Sequence, residues 1–212
     1  KGVRRVVGVA QRQKAPIEVD ILRQMVATLS DDPRGLRDRA LLLLGFAGAF
    51  RRSELVGLDV SDVVFVHRGL EVSLQRSKTD QEAAGRKLGI LPGIHPGTCP
   101  VLAVRAWLHV AAITDGPLFR AVGRRREGVA ATRLCEKVVA DVVKRAANAA
   151  GLDEDRFAGH SLRAGFVTSA ARAGKSERTI MAMSGHRSTA ILRRYVRDVG
   201  IFDDNAGDGL GL

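Results

Sequence analysis

Tyr195 is the only tyrosine among 212 residues; it closes the run SGHRSTAILRRY, nine positions after His186 and directly behind Arg193 and Arg194. A free phenol titrates near ~10 and is a poor nucleophile at neutral pH. Clustered cations that favour the phenolate, or a base that removes its proton during attack, would activate it. Three other stretches carry matching chemistry. AFRRSELVGL sets Arg51 and Glu54 three apart on one helix face, GHSLRAG sets His160 and Arg163 at the start of a helix, and LQRSKTDQE sets Lys78 beside a turn. Cleaving a phosphodiester by side-chain attack needs cations on the non-bridging oxygens, a nucleophile in line and an acid for the leaving oxygen. Arg51, Arg163, His160, His186, Lys78 and Tyr195 supply that set without a metal.

Each stretch also has a plainer reading. Arg51 and Glu54 suffice as a surface ion pair, and a lysine beside a turn is ordinarily solvated or discourages edge pairing. His160 suffices as a structural residue that caps its neighbour. Tyr195 follows Ile191 by four and Leu192 by three, so one edge of its ring would pack against the core. GHSLRAG argues hardest for function. A helix N-terminus is already electropositive, so adding His and Arg there works against the dipole unless an anion is expected.

The elements that must position these residues follow from periodicity. After Pro16, Ile17, Ile21, Leu22, Met25, Val26 and Leu29 share a helical face. An apolar helix over 36–49 follows, and RRSELVGL continues as a short third one. VVFV, LEVSLQ and RKLGIL then predict a small antiparallel sheet within 63–91. Helix returns over 101–112 and over 133–150, the second with Thr132 as N-cap, and again near His160, after Ser176 and after Ser188. The fold class is mainly α with a small antiparallel β-sheet (α+β).

Composition narrows the partners. Thirty-four Lys and Arg against 23 Asp and Glu give a net charge of +11, which favours a polyanion. The run RAVGRRREG, with Arg120 and Arg124 to Arg126, reads first as a solvated face and alternatively as a contact to duplex DNA. Cys99 and Cys135 stand far apart with no CxxC, which fits a reduced compartment and not a zinc site. The longest apolar run, ALLLLGFAGAF, stops at Arg51 and reads as a buried helix, not a membrane span. No Gly-rich loop with Lys suggests a nucleoside triphosphate, and no acidic cluster suggests Mg²⁺.

In order, Arg51-x-x-Glu54, Lys78, His160-x-x-Arg163, Gly185-His186 and Tyr195 resemble the catalytic domain of the tyrosine recombinases, the phage integrase family. The resemblance implies that Tyr195 attacks the scissile phosphate to form a 3′-phosphotyrosyl link and a free 5′-hydroxyl. It implies that Arg51 and Arg163 clamp the non-bridging oxygens and that Lys78 protonates the departing oxygen. His160 would assist proton transfer, His186 would hydrogen-bond the phosphate, and Glu54 would orient the arginine cluster. Arg76, Arg86 and Lys87 are further cations near Lys78; Arg52 departs from the family's pattern, standing where an apolar or small residue is common, and would be tolerated there as a contact to backbone phosphate. Residues 1–15 would be a basic interdomain linker, 16–197 the catalytic domain and 198–212 a tail, with the family's N-terminal DNA-clamping domain absent from this chain. The implied partners are double-stranded DNA and further copies in a synaptic tetramer, with no membrane, metal or small-molecule cofactor, in a bacterial cytoplasm. A type IB topoisomerase-like nicking-closing enzyme and a catalytically inactive DNA-binding module remain the competing functions.

Overall fold

The computed structural model describes residues 14–74, 85–123 and 128–196; for Ile191 and residues 194–196 it describes the helical backbone. Most of the predicted linker, the tail, Lys78 and Arg124 to Arg126 lie outside the described residues. The first helix, α1 (Val19–Ala27), buries Leu22, Met25 and Val26 on one face. In α2 (Pro33–Ala47), Asp32 accepts the Gly35 N–H at 2.8 Å and Pro33 opens the first turn. Leu41, Leu42, Leu43 and Leu44 are all buried, so α2 runs through the centre of the molecule as its apolar sequence requires.

The chain leaves α2 through Ala49, whose φ of 49° is left-handed and uncommon for a non-glycine residue, then enters α3 (Arg52–Gly57). A meander follows: β1 (Val63–Val66), β2 (Gly69–Leu74) and β3 (Arg86–Ile90), antiparallel in that order. Val63 pairs with Val72 and Leu70 with Ile90, and the buried positions alternate with exposed Val64, Glu71 and Lys87. Next, α4 (Pro100–Val110) packs on α2 and carries the fully buried Trp107, whose indole N–H donates to the Leu118 carbonyl at 2.8 Å.

Two corrections concern the next segment. The sequence pattern predicts a helix from residue 133 with Thr132 as its cap, but α5 (Glu136–Ala149) starts after Cys135. The residues before it form β5 (Val129–Arg133), which pairs antiparallel with β4 (Arg120–Val122). Arg133 anchors that strand: its guanidinium donates to the Val56 and Leu58 carbonyls at 2.8 and 3.1 Å and to Asp59 at 2.6 Å. The described residues thus hold two small sheets where one was expected, and RAVGRRREG starts on β4 and leads to β5.

The last three helices are α6 (Ser161–Arg172), α7 (Glu177–Ser184) and α8 (Thr189–Val196). They begin where His160, Ser176 and Ser188 predict, and Ser176 Oγ accepts the Thr179 N–H. α6 lies hard against the start of the described chain. The Ile17 N–H donates to the Ser161 carbonyl at 2.9 Å, and a Cβ at Gly165 would overlap the Ile17 carbonyl. Leu192 of α8 is buried with Val167 and Ile180, which seats α8 on α6 and α7.

Candidate active site

Arg51 is the N-cap of α3, and Glu54 closes back onto it. The Glu54 carboxylate accepts the Arg51 backbone N–H at 2.8 Å and its guanidinium at 2.5 Å. Glu54 is largely buried, whereas half of the Arg51 side chain is exposed. The predicted orienting role of Glu54 therefore has its contact: one carboxylate ties the guanidinium to its own backbone and leaves much of its edge in solvent.

Arg163 projects from the first turn of α6 and is buried, with 2% of its surface exposed. Its Nη1 donates to the Ala49 carbonyl at 2.8 Å and to the Ser184 carbonyl. The left-handed turn at Ala49 thus supplies an acceptor for Arg163. At the same helix start, His160 makes no side-chain capping hydrogen bond, so the reading of His160 as a cap does not hold. Ser161, the first residue of α6, instead ties the approach to the helix, its Oγ accepting the Ala158 N–H at 3.0 Å.

His186 follows Gly185, which ends α7 in the left-handed region at φ 67°. Its Nδ1 lies 2.7 Å from Ser184 Oγ. The His186 imidazole is pushed down to about 4, first by burial and then by the charges of Arg163, Arg51, His160 and Arg86. His160 is likewise lowered, by desolvation and then by Arg163, Arg51 and Arg52. Both rings are thus neutral at pH 7, and both sense the same two arginines. Arg51, His160, Arg163 and His186, drawn from three separate stretches, occupy one cationic pocket.

Of the remaining predicted residues, Lys78 lies outside the described residues, in the segment joining β2 to β3. Tyr195 sits on the last turn of α8, three residues beyond Leu192, which packs on the helix bearing Arg163. Arg193, expected to join the cations around the phenol, instead donates to Glu177 at 2.8 Å in an exposed pair, because the helix turns it toward the first turn of α7. Arg52 is exposed beside His160, its stem against Gly159.

In the sequence Arg86 is one of several cations near Lys78, and the structure brings it to the pocket. Its Nη2 is 3.6 Å from Glu54 Oε2, and a Cβ at Gly185 would overlap its guanidinium. A signal for this existed. Arg86 is in phase with the inward-facing Leu88 and Ile90, so the alternation of β3 sends it to the same side. The pocket therefore sets Arg51 and Arg86 on the Glu54 carboxylate and Arg163 on backbone carbonyls, an arrangement suited to an oxyanion with more than one exposed oxygen.

Comparison with known proteins gives the same picture. The family model described as "Phage integrase family" matches residues 17–199. An integrase/recombinase xerD homolog from Selenomonas ruminantium is 43% identical over 206 residues, covering 96% of this chain and 60% of that protein. Tyrosine recombinase XerD of Xanthomonas axonopodis pv. citri is 33% identical over 185 residues, covering 86% of this chain and 57% of its own length. The chain thus spans about three fifths of the length of these relatives. Among solved structures, the XerH site-specific recombinase in a post-cleavage complex with difH aligns with a TM-score of 0.66 at 19% identity, over 93% of this chain and 53% of that one. A lambda integrase dimer bound to a COC′ core site aligns at 0.61 and 19% identity, over 90% and 50%. Those two likenesses concern the fold. With a family match that runs nearly the length of the chain and encloses the whole cationic pocket, the chain belongs to the phage integrase family.

Proposed function

We propose that this chain is the catalytic part of a site-specific DNA recombinase that breaks and rejoins strands through a 3′-phosphotyrosyl intermediate. One observation carries the reading: Arg51, His160, Arg163 and His186 converge from distant stretches on one pocket, with the helix bearing Tyr195 seated on the helix bearing Arg163. Residues 16–197 would form the catalytic unit, flanked by a basic linker and a tail.

In this reading the Tyr195 oxygen attacks phosphorus as the bond from phosphorus to the 5′ oxygen breaks. Arg163 and Arg51 hold the non-bridging oxygens and offset the charge that builds there. Lys78 gives its proton to the departing 5′ oxygen. His160, neutral at pH 7, is in the correct state to take the phenol proton, and an imidazole returns it on religation. The phosphotyrosyl ester conserves the energy of the broken bond, so a second strand's 5′-hydroxyl rejoins it without ATP. XerD-named relatives and recombinase–DNA complexes of the same fold support duplex DNA and a multi-protomer synapse as partners. Among the described residues, no helix is long and apolar enough to cross a membrane, and an enzyme of this chemistry works where the chromosome is, in the cytoplasm.

The test is a suicide duplex nicked just downstream of the scissile phosphate, from which the short fragment carrying the freed 5′-hydroxyl diffuses away, trapping the intermediate. The wild-type chain is expected to form an SDS-resistant adduct, and Tyr195→Phe none. Binding without an adduct, in this chain and in a longer protein containing it, would instead mark a DNA-binding module. Supercoil relaxation by the monomer on any sequence would mark a topoisomerase-like enzyme.

A further inference from the structure

Ser184 is fully buried and touches two residues of the pocket. Its carbonyl oxygen accepts from Arg163 Nη1, and its hydroxyl oxygen lies 2.7 Å from His186 Nδ1. A hydroxyl carries one hydrogen, and that of Ser184 is directed to the Ile180 carbonyl, 2.7 Å away within α7. Toward the imidazole, Ser184 Oγ is therefore the acceptor. Nδ1 must carry the hydrogen, and the neutral ring keeps its lone pair on Nε2. A histidine free in water prefers the opposite tautomer, so this one is imposed by its neighbour.

We propose that Ser184 is a positioning residue of the phosphodiester site: through one hydrogen-bond chain it fixes the tautomer and ring plane of His186, and through its carbonyl it fixes the guanidinium of Arg163. The proposal rests on the recombinase reading for its catalytic consequence, though not for the tautomer itself. A single residue at the end of α7 thereby sets two phosphate-binding groups relative to each other before DNA arrives, which is preorganisation by a supporting side chain. It also determines what His186 can do. Neutral Nε2 accepts a hydrogen bond, and it donates one to a phosphate oxygen only after taking up a proton. Arg163 from α6, Arg51 from the cap of α3, Arg86 from β3 and His160 all oppose that proton until an anion offsets them.

The experiment has two independent readouts on the full chain. In the protein without DNA, ¹⁵N-histidine NMR is expected to show wild-type His186 as the Nδ1–H tautomer and Ser184→Ala shifted toward Nε2–H. On the suicide duplex, Ser184→Ala is expected to lower single-turnover cleavage on the order of tenfold to a hundredfold, with DNA affinity unchanged within about twofold. Thermal melting of Ser184→Ala confirms that the comparison is between folded proteins. An Nε2–H tautomer in the wild-type spectrum overturns the proposal without any variant. So does wild-type cleavage by a Ser184→Ala protein that has lost the Nδ1–H tautomer. Failure of the wild type to form any adduct sinks the recombinase reading, and with it the catalytic role, while the tautomer assignment stands or falls on the spectrum.

Discussion

Two arginines are buried in this molecule to almost the same degree, Arg37 at 3% exposure and Arg163 at 2%, and they meet opposite kinds of partner. Arg37 donates through Nε and Nη2 to the buried Asp38 carboxylate at 2.9 and 2.6 Å, and Arg145 reaches the other oxygen of that carboxylate at 2.5 Å. Arg163 donates to the carbonyl oxygens of Ala49 and Ser184. A carboxylate neutralises a guanidinium; a carbonyl dipole orients it and leaves its charge largely intact. That charge is visible in the surroundings, since Arg163 is the leading electrostatic cause of the lowered titration of both His160 and His186. Burial against a carboxylate builds a scaffold. Burial against backbone carbonyls holds the guanidinium in one orientation beside the two histidines.

Breaking the scaffold pair should have the largest effect on stability. Asp38→Ala leaves Arg37 buried without its carboxylate and is expected to cost ~3–5 kcal/mol in urea unfolding, with cleavage per folded molecule unchanged. The matching change in the pocket is Arg163→Lys, whose single nitrogen replaces Nη1 at the two carbonyls but leaves nothing in place of Nε and Nη2. Single-turnover cleavage is expected to fall by roughly 10²–10³-fold, as for loss of one oxyanion donor, while DNA binding weakens far less. Equal losses in binding and cleavage would show that Arg163 acts before the transition state.

The contrast between the two arginines was only partly legible in the sequence. Helical spacing within GHSLRAG showed that His160 and Arg163 project together, while the step from Gly185-His186 to Tyr195 was legible through the resemblance to the phage integrase family. Burial of Arg37 and Asp38 was not marked. They sit in RGLRDRALLLL, where a charge run at the start of a helix looks solvated until Arg145 of α5 arrives from more than a hundred residues away. The same holds for Ser184 and Arg86, whose roles depend on which loop end meets which strand end. The β4–β5 pairing was missed for a local reason. VAATR is too short and too alanine-rich to be told from the first turn of α5, and its strand partner lies on the other side of a basic run.

A smaller effect follows from the histidines. His186 titrates near 4 when folded and at 6.5 when unfolded, so between those values the unfolded chain holds the extra proton and stability rises with pH. His160 is displaced in the same direction and adds to the slope. Unfolding free energy should therefore decline as pH drops from about 6.5 toward 4, and His186→Gln should flatten that decline. Inorganic phosphate at millimolar concentration should flatten it as well, since an anion in the pocket favours the protonated rings. A slope unmoved by either would mean that the histidines and the arginines do not share a field.

Mapping the covalent linkage tests the central claim most directly. The adduct trapped on the suicide duplex is digested with protease and nuclease, and the modified peptide is sequenced by mass spectrometry. The account predicts a single modified residue, Tyr195, joined to a nucleotide through its 3′-phosphate, with the released fragment of the same strand beginning with a 5′-hydroxyl. A linkage on any other side chain, or one through a 5′-phosphate, would contradict it.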